Sequence, residues 1–236
     1  MSHDVPSPAE DESVAELDYT DPLYREAVVD LLGALAYGEM QAFFRLAADA
    51  SMAPDNYHRS EIAEMAVAEF GHFRLLRDRL IQLGHDPEEA MTPFVEAIDG
   101  FHASTAPADW LEGLVKAYVG DGVASDFYRD VAQYLDPETR ELVVTVCSDL
   151  GHSKFCIESI RQAIKADPVV AGRLALWGRR LVGEAIAQSQ RVAAQREPLV
   201  ALVLGGAGPD LGAITRMFAD MTDRHSERMR SLGLAP

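Results

Sequence analysis

Two short phrases of the chain set an acid and a histidine three residues apart, with a glycine before each histidine: Glu69-Phe-Gly-His72 and Asp149-Leu-Gly-His152. On an α-helix, residues three apart share a face, so each pair can aim a carboxylate oxygen and an imidazole nitrogen at one point. Around the first pair, Ala66, Ala68, Phe70 and Phe73 are apolar, which puts the pair at least partly inside the protein. A buried acid without a partner is costly, and a cation satisfies a carboxylate and an imidazole together. The chemistry these phrases point to is metal binding.

A second set of acids supports this. Gly38-Glu39, Gly120-Asp121 and Gly183-Glu184 each fall in the middle of an apolar helical stretch, where charge is normally avoided. Each precedes a histidine-bearing stretch, the third being the weaker Thr222-Asp-Arg-His225. The pattern reads as a repeated helical hairpin whose third copy has drifted. Four antiparallel helices would bring Glu39, Glu69, His72, Asp121, Asp149 and His152 to one centre. Oxygen and imidazole donors in that proportion suit two iron or manganese ions bridged by carboxylates, and argue against copper(I) or an all-thiolate site. The glycines beside the acids and histidines are expected to let a neighbouring helix or a reactant come close, offsetting a helix cost of roughly 1 kcal/mol each. Tyr37 and Tyr118 lie within a turn of proposed ligands and could orient them or carry a radical, although core tyrosines with a hydrogen-bonded hydroxyl are commoner. Glu184 and His225 are candidates for a vestigial third site, outer-layer partners or replacement ligands, beside the commoner reading of a polar pair at a helix interface or rim.

The elements that must position these residues are long helices. Asp21-Pro22 opens the first, which runs to Ala53-Pro54; the second runs from near Asn56 to Gly84. Three prolines between about 85 and 108 mark a crossover with room for one short helix, followed by a third helix from Asp109. Asp136-Pro137 opens a fourth that carries Cys147, Asp149, His152 and Cys156 on one continuous helix. Asp167-Pro168 opens a fifth, and after "GGAGPD" a sixth ends the chain. The polar, acidic residues 1–20 lack periodicity and are expected to be a disordered tail, leaving 21–236 as one all-α domain.

Composition sets limits on function. The formal net charge of −17 argues against a broad nucleic-acid surface, although Arg173, Arg179 and Arg180 could form a local basic patch. No leader or long uncharged apolar run stands out, so no membrane association and a cytoplasmic location are expected. Two cysteines read as buried small hydrophobes in a reducing compartment. His58, His85 and His102 are expected to be solvated, and Trp110, Trp177 and the Phe43-Phe44 pair to be packing residues. "GGAGPD" lacks the Lys-Ser/Thr of a phosphate loop, and no nucleophile triad is recognisable.

These residues resemble the ferritin-like di-iron carboxylate superfamily, in which a Glu and a Glu-x-x-His alternate twice over a four-helix bundle with a long crossover between the second and third helices. Glu39, Glu69 and His72 match in full; Asp121 and Asp149 stand where glutamates are usual; His152 matches. The fold implied is that bundle plus two additional C-terminal helices. "YGEMQAFF", "AEFGHFRLLRDRL", "DWLEGLVKAYVGDGVASDFYR" and "LWGRRLVGEA" are similar to an actinobacterial branch akin to tRNA 2-methylthio-N6-isopentenyladenosine hydroxylases. That resemblance implies two iron ions (or manganese), O₂ or peroxide as oxidant, an unidentified electron donor and hydroxylation of a modified tRNA nucleoside, with a homodimer compatible. The acidic charge makes tRNA an awkward substrate. The alternatives are an iron-binding or oxidative-stress protein without an organic substrate, and a bundle that has lost its metal.

Overall fold

Aspartates start several of these helices. In the computed structural model, which describes residue 19 and residues 21–148, 152–203 and 211–236, every regular element among the described residues is helical. The Asp21 carboxylate accepts from the Leu23 amide to open α1 (Pro22–Asp49), which a 3₁₀ turn, Ala50–Met52, extends. Asp55 caps α2 (Asn56–Gln82) through the His58 amide, and Gly84, at φ +81°, turns the chain out of it. Asp109 caps α5 (Trp110–Ala132) and Asp136 caps α6 (Pro137–Val146) in the same way. A cap of this kind contributes about 1 kcal/mol, so the starts of these helices are set locally.

The crossover holds two short helices rather than the one expected: α3 (Pro87–Met91) and α4 (Val95–Ser104), joined by a 3₁₀ turn. It lies against α1 because residue 33 is glycine: a Cβ there would run into the Ala90 carbonyl. The fourth helix is also two elements. α6 ends at Val146, and α7 is described over His152–Ala166, with 149–151 between them outside the described residues. At the end of α6 the Ser148 hydroxyl donates to the Val144 carbonyl and the Cys147 amide to Val143, which caps the helix where continuation was expected. Cys147 and Cys156 are free and buried on separate elements. C-terminal to the bundle there are three described helices, not two: α8 (Val170–Gln195), α9 (Glu197–Val203) and α10 (Leu211–Leu232). The unanticipated α9 buries Leu199 and Leu202 in the α1 core. The tail at 1–18 and the "GGAGPD" segment lie outside the described residues.

α1 and α2 form a hairpin along most of their length, α5 and the α6–α7 pair complete the four walls, and α8 and α10 pack on α5 from behind. α1 with its 3₁₀ turn is apolar and long enough to pass a composition test for a membrane span, but 56% of its most apolar window is buried inside the fold.

The apolar interior is split in two. One core gathers Leu46, Ile62, Met65, Leu114, Val119 and Trp177; the other gathers Leu31, Leu35, Leu76, Leu80, Val131 and Val143. On α1 the gap between them holds Glu39; on α2 it holds Glu69 and His72; on α5 it holds Asp121. The candidate ligands occupy a polar layer at mid-height.

Candidate metal centre

Glu39 enters this layer from α1, and Glu69 and His72 enter it from one face of α2. His72 Nδ1 stands 3.3 Å from Glu39 Oε2 and 3.6 Å from Glu69 Oε2. One donor atom from each of the three lies within 4.8 Å of the others, and their side chains are only 13–15% exposed. Among the described residues the ion pairs of Glu39 and Glu69 are with His72 alone.

Electrostatics shows the strain of gathering acids here. Burial drives the Glu39 carboxyl well above the usual range, and the Glu69 and Asp121 carboxylates push it the same way. Burial also works against ionised Glu69, but hydrogen bonds from Glu39 and His72, with the charges of His72 and His152, outweigh it and hold this carboxyl low. The site thus favours the neutral form of Glu39 and the ionised form of Glu69, as a proton between the two would. A divalent ion does the work of that proton with more charge, and two carboxylates with an imidazole suit iron, manganese or zinc. The donor set fits a metal.

Asp121 and His152 face this group without joining its tight cluster. Burial and the Glu69 charge push the Asp121 carboxyl up to about 7, against the relief of His72, Arg228 and Arg129. Asp121 is embedded among protein atoms yet keeps an exposed surface. Water reaching the carboxylate offsets part of the desolvation. His152, at the start of α7, is felt electrostatically at Glu69. It also lines an open groove of about 550 Å³ with Ser60, Ala63, Glu64, Val67 and Ala68. A hollow of about 370 Å³ near Arg25, Asp30 and Arg196 lies by α1 and α3, away from these ligands. Asp149 lies outside the described residues.

Two groups beside the centre were missed from the sequence. The Tyr128 phenol is held protonated, first by burial and then by the nearby Cys147 and Glu39. Burial, Glu39 and Asp121 push the Cys147 thiol up to about 12. The available signal was spacing: Tyr128 follows Asp121 by two helical turns.

Tyr37, Tyr118, Glu184 and His225 take the packing and bridging roles that were the broader expectation, and the expectation for His102 is corrected. The Tyr37 hydroxyl donates to Asp99 at 2.9 Å and accepts from Gln41 at 3.0 Å, so it ties α1 to the crossover and does not orient a ligand. Tyr118 packs against the first core. Glu184 accepts from the Ser104 hydroxyl at 3.1 Å, bridging α8 to α4. His225 is buried on α10, its proton affinity lowered by burial and then by Arg228 and Arg179, and neither ring nitrogen has a hydrogen-bond partner among the described residues. Glu184 and His225 are not brought together, because α8 turns the acid toward α4. His102 is not solvated: burial, then Lys116 and Arg45, lower it to about 3.

Among the described residues, the glycines beside ligands do not admit a neighbouring helix. A Cβ at Gly38, Gly71, Gly120 or Gly183 would meet nothing within 4 Å. The close approach is one residue past Asp121, where a Cβ at Gly122 would collide with the Arg228 guanidinium. Arg228 crosses α5 there to pair with Asp126, and Arg224 pairs with Asp126 and Asp130, so α10 is clamped to the wall that carries Asp121.

Comparison with curated proteins found no match. A family model described as a ferritin-like domain of actinomycetes matches residues 22–206, a span that contains Glu39, Glu69, His72, Asp121 and His152, and the chain belongs to that ferritin-like family.

Proposed function

We propose that the chain is a non-haem di-iron oxidoreductase using O₂ or peroxide, with manganese as the alternative metal. The observation that carries this reading is the convergence of Glu39, Glu69 and His72, without a protein cation beyond the imidazole, in a family whose bundle commonly holds iron. Glu39, Glu69 and His72 hold one ion, and Asp121, His152 and Asp149 supply the donors for a second. Bound iron supplies the electrons and the oxygen-binding position that the side chains lack. Tyr128 and Cys147 stay protonated beside Glu39 and keep the layer from gaining further negative charge. The groove at His152 gives a reactant its approach.

The narrower proposal, hydroxylation of a modified tRNA nucleoside, rests on the sequence resemblance. The three arginines considered for a basic approach are engaged within the protein. Arg173 pairs with Asp109 and Glu112, Arg179 donates to the carbonyls of Ala235 and Pro236, and Arg180 donates to that of Ser104. With a net charge of −17, this favours as second reading an iron-binding and iron-oxidising protein without an organic substrate.

The test is anaerobic reconstitution with Fe(II), metal analysis, then Mössbauer spectroscopy before and after O₂. About two irons per chain that oxidise together are expected; no bound iron, or iron that binds equally well to Glu69→Ala, would overturn the assignment. A comparison of tRNA nucleosides between a deletion strain and its parent addresses the narrower proposal, which an unchanged profile would remove.

A further inference from the structure

One short stretch of α10 holds most of the buried polar atoms that find no partner. Among the described residues seven such side-chain atoms lack a hydrogen bond, and four of them are Arg224 Nε, His225 Nδ1, His225 Nε2 and Arg228 Nη1. Arg224 Nε is the least in need, since Asp126 Oδ2 stands 3.0 Å away, off the line of a hydrogen bond. His225 has no such relief and is only 5% exposed. A buried polar group left without a partner is costly, so a cluster of them on one helix points to a ligand.

Helix geometry aims this cluster at one seam. Around α10, His225 lies between Met229, about 40° to one side, and Arg228, about 60° to the other. Met229 packs where Gly178 of α8 leaves room, and Arg228 crosses where Gly122 of α5 does. His225 therefore faces the seam between α5, α8 and α10. The charges that act on it are both positive, Arg228 from α10 and Arg179 from α8. The nearby acids of α5, Asp126 and Asp130, are taken up by Arg224 and Arg228.

We propose that this seam is a binding site for a small oxyanion, with phosphate and sulfate as the simplest members. The donor set selects the class. Arginine nitrogens can only donate, and an imidazole donates from at least one nitrogen, so the ligand must be rich in acceptors. A tetrahedral oxyanion accepts from Arg228 and His225 through separate oxygens, and charge-assisted bonds of this kind are the strong ones. The burial of His225 limits the ligand to a bare anion. Against a net charge of −17 the attraction must be local, and the two arginines acting on His225 supply it. The site rests on α10, a helix beyond the residues 22–206 that match the family. An anion held there ties α10 to α8 as well as to α5, the wall that carries Asp121.

The site is independent of the metal reading and is tested on metal-free, full-length protein by isothermal titration with sodium phosphate and, separately, sodium sulfate. Ionic strength is held constant with sodium chloride. Both anions should bind, at one per chain, with a Kd on the order of 100 µM. His225→Phe keeps the bulk of the ring and should weaken binding by about thirtyfold or more, and Arg228→Gln by about tenfold. Circular dichroism melts without either anion separate binding from folding. There His225→Phe should melt no lower than wild type, because it replaces an unpartnered buried polar ring by an apolar one. Absence of binding by wild type at about 10 mM of both anions, far above that Kd, overturns the proposal. So does binding that His225→Phe leaves within about twofold of wild type, since the anion would then sit elsewhere. A His225→Phe variant that melts lower overturns it too, because the ring would then have a partner within the protein.

Discussion

Burial favours the neutral form of both Glu39 and His102, with opposite consequences. Burial and Glu69 raise the Glu39 carboxyl. A Glu39→Gln variant preserves the donated hydrogen bond and is expected to melt within about 0.5 kcal/mol of wild type when metal-free. Its metal affinity should fall by more than the 10–100-fold typical of outer-layer losses, as read by isothermal titration with Mn(II). His102, lowered to about 3, gives the folded state full stability above the unfolded value near 6.5. Below that the unfolded chain takes up the proton first, so stability falls progressively toward pH 3. Thermal melts from pH 7 to 4 should show a shallower slope for His102→Phe than for wild type; equal slopes would place the acid sensitivity in other groups. At this scale the sequence was informative where spacing was local: Glu69 and His72 share one helix face. Tyr128 and Cys147 were not legible, because their nearness to Glu39 depends on how three helices meet.

The helices divide into those whose limits are set by nearby residues and those set by contacts. Asp21, Asp55, Asp109 and Asp136 each accept from an amide two or three residues on, which is why these starts could be read directly. The break between α6 and α7 and the presence of α9 could not. The first follows from a serine and a cysteine capping locally, and the second from two leucines finding the α1 core. Glycine separates the two kinds of control. Gly122→Ala forces Arg228 out of its crossing and should destabilise the protein by about 1–3 kcal/mol in urea melts. Gly38→Ala and Gly183→Ala meet open space and should stabilise it by about 0.5–1 kcal/mol each through helix propensity. If Gly122→Ala behaved like the other two, the α5–α10 clamp would be incorrect.

Over the whole molecule, the bundle and its long crossover were legible from apolar periodicity and the proline-rich interval, because both leave marks along the chain. The engaged arginines of α8 were not, since their partners depend on which helix lies beside which. The interruption of the apolar interior by Glu39, Glu69, His72 and Asp121 has a thermodynamic consequence. A folded chain with two separate hydrophobic nuclei and a repulsive plane between them resembles two bodies joined by rods, and cooperativity between its ends must pass through that plane. Calorimetry of metal-free protein should therefore show a broadened transition, with backbone amides near residues 39, 69 and 121 exchanging early. Saturating Mn(II) should merge the two bodies into one sharper transition at higher temperature, by about 2.7 kcal/mol at a hundredfold excess over Kd. The metal would then be the keystone of the fold's cooperativity, and iron supply would regulate how long the protein survives as well as what it can oxidise.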